Sequence, residues 1–208
     1  MKHFGIYHPP TSFHWTKTAL IYLGIAVQLV LLVLLSTLVE SPSEMVIEAL
    51  LAGCVGLYAL GLLLKFKGLG EYEILHGEVD GYILFLPDGI QVAGHVYPIE
   101  TIEKVAFSGI DFMGATKHTD FLDVTGFFEN DQSMGVNNTL HLHFNDGSVL
   151  STRFQKTKAC ELAEAKDAII SYYLKEKITY LEVVDILCLT APAEWDALKK
   201  LKQVHPQT

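Results

Sequence analysis

Residues 19–39 read ALIYLGIAVQLVLLVLLSTLV, a stretch whose only polar side chains are Tyr22, Gln28, Ser36 and Thr37 and which carries no charge. As a helix rising 1.5 Å per residue it is about 30 Å long, the thickness of a bilayer's hydrocarbon core. A second apolar stretch runs from Met45 to Leu64, with Glu48 in its first turn. Two such segments in close succession predict a transmembrane hairpin over residues 18–67, with spans at about 19–39 and 45–64. The first apolar run is longer than a signal-peptide core, and no A-x-A-like cleavage site follows it.

Flanking charge orients the hairpin. Lys2 and Lys17 precede the first span and Lys65 and Lys67 follow the second, whereas the connector Glu40-Ser41-Pro42-Ser43-Glu44 has no Lys or Arg. The positive-inside rule then predicts a two-span protein of the cell membrane with both termini cytoplasmic. Trp15 and Tyr22 sit near the predicted inner boundary. Within the second span Ala49, Ala52, Gly53 and Gly56 form a smooth face. It predicts close packing on the first span, with homodimerisation as the alternative use. No Asp, Lys or Arg lies mid-span, so an ion or proton path is not indicated.

Charge and cysteine usage bound the rest. The net charge is −9, and because residues 1–67 carry +1 the remainder carries −10. A segment that acidic repels phosphate, which excludes nucleic acid as a partner class. Cys54, Cys160 and Cys188 stand far apart with no zinc-like or disulfide-framework spacing, which reads as a reducing compartment for the C-terminal part.

Past Gly68-Leu69-Gly70, a predicted flexible link, the period changes from helical to alternating. Residues 81–93 read as a hairpin turning at Pro87-Asp88-Gly89, with Leu86 opposite Ile90 and Leu84 opposite Val92. Residues 139–154 repeat the design around Asn145-Asp146-Gly147. There Leu142 faces Leu150 and Leu140 faces Thr152, with His141, His143, Val149, Ser151 and Arg153 on the opposite face. Residues 96–107 hold one or two further strands. After Thr157 the pattern is helical through about Lys175, then over Tyr180–Leu189, then from Pro192 onward. The predicted fold class is therefore α+β: a cytoplasmic arm (1–17), the transmembrane hairpin (18–67), a β-rich cytoplasmic domain (71–177) and a helical C-terminal extension (178–208).

The turn Leu86-Pro87-Asp88-Gly89-Ile90, the segment Tyr97-Pro98-Ile99-Glu100-Thr101-Ile102 and a long helix after the last strand resemble the bacterial pleckstrin-homology-like domains. Two membrane helices before such a domain are similar to the layout of small two-span Bacteroidetes-type membrane proteins. The resemblance covers roughly residues 71–175. It implies a bent antiparallel sheet or partly open barrel closed at one end by the helix, and it implies no activity. Phosphoinositide-reading members place Lys and Arg on the first hairpin, whereas Tyr82 to Val92 holds no basic residue.

No nucleophile–base signature, phosphate loop, dinucleotide fingerprint or zinc-protease motif occurs, so the sequence predicts no catalytic residue and no cofactor. His141 and His143 share one strand face and are the candidate metal ligands, but no Cys or carboxylate stands at a familiar spacing and no metal site is assigned. Residues 111–138 combine Phe112, Phe121, Phe127 and Phe128 with several acids and glycines. The four aromatics are candidate anchors for a protein partner, or plain core of an irregular strand. The leading expectation is a membrane-anchored binding or scaffold module for a partner protein. The alternative is a sensor of a small ligand or metal ion, using the open end of the sheet, and a lipid hydrolase is a third reading.

Overall fold

The computed structural model describes residues 2–117 and 126–204. The chain divides into two compact units, one of Met1–Pro10, Gly77–Ala115 and Ser133–Thr208, the other of Thr11–His76 and Thr116–Gln132.

The first unit is built on an antiparallel sheet. In chain order its strands are β1 (His3–His8), β2 (Glu78–Leu86), β3 (Gly89–Val92), β4 (His95–Pro98) and β5 (Ile102–Ser108). A short pair, β6 (Met113–Thr116) and β7 (Gln132–Met134), forms a separate two-stranded sheet, and β8 (Asn138–Phe144) and β9 (Val149–Phe154) complete the main one. The order is β4-β3-β2-β1-β9-β8-β5, with β4 and β5 at the edges, so no closed barrel forms among the described residues. The central strand is β1, which lies in the segment the sequence predicts to be an arm outside the domain. Phe4 and Ile6 are buried, and β1 pairs with β2 along its length and with β9 through Ile6 and Phe154. The apolar hairpin is therefore inserted between two neighbouring strands of one sheet, where the sequence reads it as preceding the domain.

The second predicted hairpin is found as expected: Leu142 pairs with Leu150 and Leu140 with Thr152, and Gly147 turns the chain at φ +83°. That left-handed conformation is cheap only without a Cβ. The first hairpin differs by one residue. Leu86 pairs with Gly89 and Phe85 with Ile90 across a two-residue Pro87-Asp88 turn. A one-residue slip exchanges the faces of a strand, and the buried set is accordingly Ile83, Phe85, Ile90 and Val92 while Leu84 and Leu86 stay half-exposed. A bulged three-residue turn would free Gly89 from β3; instead Gly89 pairs with Pro98 of β4, leaving no room for a side chain.

A 3-10 turn (Glu161–Ala165) leads into α3 (Lys166–Leu174), followed by α4 (Tyr180–Ile186) and α5 (Pro192–Val204). Ile169 and Tyr172 of α3 are fully buried against the sheet core. The Tyr172 hydroxyl donates to the Leu86 and Gly89 carbonyls at 2.7 and 2.9 Å, and Ser171 donates to Pro87, fixing α3 to the first hairpin's turn. Helix α4 starts on a capping box of Thr179 and Glu182. Both α3 and α4 end with a non-glycine residue in left-handed conformation, Glu176 (φ +60°) and Cys188 (φ +52°). In each, the next residue's N–H returns to a carbonyl of the last turn, Lys177 to Tyr172 and Leu189 to Val184, closing the helix end.

Cys160 and Cys188 form a disulfide with 5.8 Å between Cα atoms. This corrects the reading of the spacing as one that brings no cysteines together, for a separation of 28 residues carries no signal until the helices fold back.

The second unit contains α1 (Lys17–Leu38) and α2 (Glu44–Lys67), both long and apolar enough to span a membrane. Thr16 caps α1 by accepting from Ala19 N–H at 3.0 Å. The link after α2 is held rather than free: Gly68 N–H closes the helix end on Leu64, and Gly70 N–H donates to the Asp131 carboxylate at 2.7 Å.

Candidate functional site

Within the sheet unit lies a cavity of about 320 Å³, at the small end of the range of ligand pockets. Five segments meet around it: the end of β5, the residues after it, the end of β9 with its continuation, the 3-10 turn, and the end of α4. Its apolar wall is made by Phe107, Ile110, Phe112, Phe154, Leu162 and Ile186, and the Cys160–Cys188 bridge forms another part. Ile110 is 93% exposed, so one apolar side chain of this wall faces solvent.

The polar members are Lys156, Glu161 and Asp185. Glu161 is 1% exposed, yet its carboxylate is fully engaged: Lys2 pairs with it at 2.7 Å and the Thr157 hydroxyl donates at 2.6 Å, alongside the Thr157 N–H. Burial alone would raise its pKa, but the hydrogen bonds from Lys2 and Thr157 outweigh that and hold it below the ordinary value. The same hydrogen bond raises the Lys2 pKa.

Lys156 is the contrast. It is 9% exposed, its backbone is fixed by hydrogen bonds with Gly135 and Met113, and its ammonium makes no hydrogen bond or ion pair among the described residues. The two acids close enough to act on it are already engaged elsewhere, Glu161 as above and Asp111 by the Ser133 hydroxyl (2.7 Å) and the Asn137 N–H (3.0 Å). Burial lowers the Lys156 pKa, and the fields of Asp111 and Glu161 only partly oppose this. The Lys156 stem is packed among its neighbours while its charge is eased by the fields of Asp111 and Glu161 and by the open cavity beside it.

The predicted aromatic anchors are dispersed. Phe112 lies on the cavity wall. In the helical unit Phe128 is fully buried, in ring contact with Tyr22 and Tyr58 and against Gly61, so it offers no surface to a partner. Phe127 lies under the Lys65 ammonium, 4.4 Å from its ring centroid. Phe121 lies outside the described residues.

Residues 126–132 are strapped to both helices. Phe128 N–H donates to the Thr18 hydroxyl (2.8 Å), Thr18 N–H donates to Glu129 (3.0 Å), Lys17 donates to Asn130 (3.1 Å), and Lys65 donates to the Phe127 carbonyl (2.6 Å). Glu129 thereby satisfies a free N–H at the start of α1, where a negative charge also suits the helix dipole. Lys117 pairs with Glu73 in the same unit.

His141 is held between Ser151 (2.9 Å) and Ser108 (3.3 Å), and His143 pairs across the sheet with Lys104 and Val149. Among the described residues no group of three His, Cys, Asp or Glu is placed to hold a metal. Of the small residues on α2, Gly53 packs against the Gln28 side chain of α1, whereas Ala49, Ala52 and Gly56 remain exposed.

Sequence reasoning missed Lys156, Glu161 and the disulfide. Burial of the segment 154–162 depends on helices more than twenty residues further on, and alternation stops at Phe154. Nothing in the run Arg153-Phe154-Gln155-Lys156-Thr157-Lys158 separates Lys156 from its exposed basic neighbours. Comparison with protein-family models, with curated proteins and with solved structures finds no match.

Proposed function

We propose that this chain is a membrane-anchored binding module whose sheet unit takes a small molecule into the cavity beside Lys156. The observation that carries this reading is a cavity walled mainly by apolar side chains and including Lys156, whose ammonium makes no hydrogen bond or ion pair among the described residues. The anchor is the hairpin α1–α2, joined to the sheet at both of its ends. Because β1 precedes the hairpin and β2 follows it within one sheet, a spanning hairpin returns the chain to the side from which it left. The flanking lysines make that the cytoplasmic side of the cell membrane. Sheet, turn chemistry and following helix also support a pleckstrin-homology-like origin for the domain. The protein-scaffold reading ranks second, because Phe128 and Phe127 are occupied within the chain.

The test is extraction of bound small molecules from the intact protein purified out of native membranes. Wild type is compared with Ala159→Trp, which places a large ring on the cavity wall. A molecule released from wild type and lacking from the variant supports the reading. Identical extracts from both would end it.

A further inference from the structure

Resting on that cavity reading, we infer that the ligand is a small carboxylic acid with an apolar body, its carboxylate paired with Lys156 and its carbon skeleton against Phe107, Phe112, Phe154 and Leu162.

The charges around the cavity select this class. Lys2 and Glu161 neutralise each other at 2.7 Å, and Asp111 is committed to Ser133 and Asn137. Asp111 keeps its charge and acts on Lys156 from off the wall, so Lys156, 9% exposed, is the one cation lining the cavity among the described residues. An ammonium is a compact point charge with three donors, suited to one carboxylate. The remaining acid on the wall, Asp185, is exposed, so solvent screens it from a ligand held deeper in. A ligand ammonium would find no unpaired buried acid on the wall, since Glu161 is already paired with Lys2. A neutral alcohol would leave the lysine's charge uncompensated. Larger polyanions are disfavoured by the small volume and by a wall dominated by aromatic and aliphatic carbon. Six apolar side chains beside one cation fit an acid with a short chain or a single ring.

The experiment uses the full chain in nanodiscs of zwitterionic lipid, titrated calorimetrically with hexanoate and phenylacetate and, as controls, hexylamine and 1-hexanol. Hexanoate or phenylacetate is expected to bind and the controls to bind at least tenfold more weakly. The Lys156→Met variant keeps the chain's bulk without its charge and is expected to melt at or above the wild-type temperature. It should lose the acids' affinity by roughly tenfold or more, the effect of one charge-assisted hydrogen bond. Equal affinity of wild type and Lys156→Met for the acids would overturn the inference, as would tighter binding of hexylamine or 1-hexanol. So would the absence of any binding. If those failures coincide with a molecule extracted from wild type and not from Ala159→Trp, the cavity reading stands and only the ligand class falls. Should Lys156→Met fold poorly, Lys156→Arg restores the charge with a bulkier head, and retained acid binding by it supports the pairing.

Discussion

Two buried polar residues show how single groups hold the sheet unit together. Tyr172 spends its hydroxyl on two carbonyls of the first hairpin, Leu86 and Gly89. Tyr172→Phe removes the proton shared between these carbonyls and is expected to destabilise the protein by about 0.5–1.5 kcal/mol, read as a lower midpoint in thermal melts. Burial, the largest influence, pushes the Tyr172 pKa up, so the hydroxyl stays a donor at physiological pH. Glu161 titrates the other way. Its folded pKa lies below the ordinary 4.5, so its pairing with Lys2 contributes fully above that value and is lost as pH falls through the lower folded value. The Lys2 side is present below 10.5 and is lost as pH rises through its raised folded value. Glu161→Gln is expected to lower the melting temperature at neutral pH and to flatten the acid limb of a melting-temperature profile. An unchanged acid limb would show that Glu161 is not among the groups responsible. Neither residue was legible in the sequence, because a Tyr and a Glu on helical patterns look alike whether they face a carbonyl or water.

The elements were legible to the degree that their own turns and periods specified them. The hairpin at Gly147 was read in register because its left-handed glycine and its Leu140/Leu142 alternation agree. The hairpin at Pro87 was read one residue out, because every position from Ile83 to Leu86 is apolar and the alternation cannot choose between faces. Gly89 suits a bulged turn equally well in sequence, but it is needed beside β4. Register makes a direct prediction: Ile83→Ala, at a fully buried site, is expected to cost about 2–5 kcal/mol, and Leu84→Ala markedly less. The reverse order in melting temperatures would restore the other register. β1 escaped notice since a six-residue strand flanked by Pro9-Pro10 finds its partners β2 and β9 about 70 and 150 residues later. Distance in sequence also hid the disulfide. Closing a loop of 28 residues restricts the unfolded chain by roughly 3–4 kcal/mol in the loop-entropy account. A Cys160→Ser/Cys188→Ser pair should therefore lower the melting temperature of oxidised protein and leave that of reduced protein nearly unchanged.

For the whole molecule, the inserted hairpin decides what can be cut. A fragment starting at residue 71 lacks the central strand and is expected to aggregate. A chain joining Pro10 to Gly77 through a few glycines and serines should give a folded sheet unit, since His8 and Glu78 are already paired neighbours. Orientation is the larger question, and two physical arguments meet there. Four lysines flank the outer ends of the apolar helices and none lies in the connector, a distribution that in a spanning hairpin favours a cytoplasmic side for β1 and the rest of the sheet. The Cys160–Cys188 bridge belongs by habit to oxidising compartments, and in a reducing cytoplasm such bridges are transient. Insertion is settled by lysine asymmetry during synthesis, before the two cysteines meet, so the lysines should fix the side and the compartment should fix the state of the cysteines. Both Cys160 and Cys188 are exposed, so reductants and oxidants reach them. Growing cells quenched in acid and alkylated at once are expected to yield this pair as thiols, with the bridge forming after brief oxidant treatment. Cys54, within α2, serves as the thiol that never bridges inside the chain. A bridge already complete in quenched cells, together with labelling of the same pair by an impermeant reagent after reduction, would place the sheet unit outside. The cavity wall that the bridge completes would then be permanently closed rather than set by the redox state of the cell.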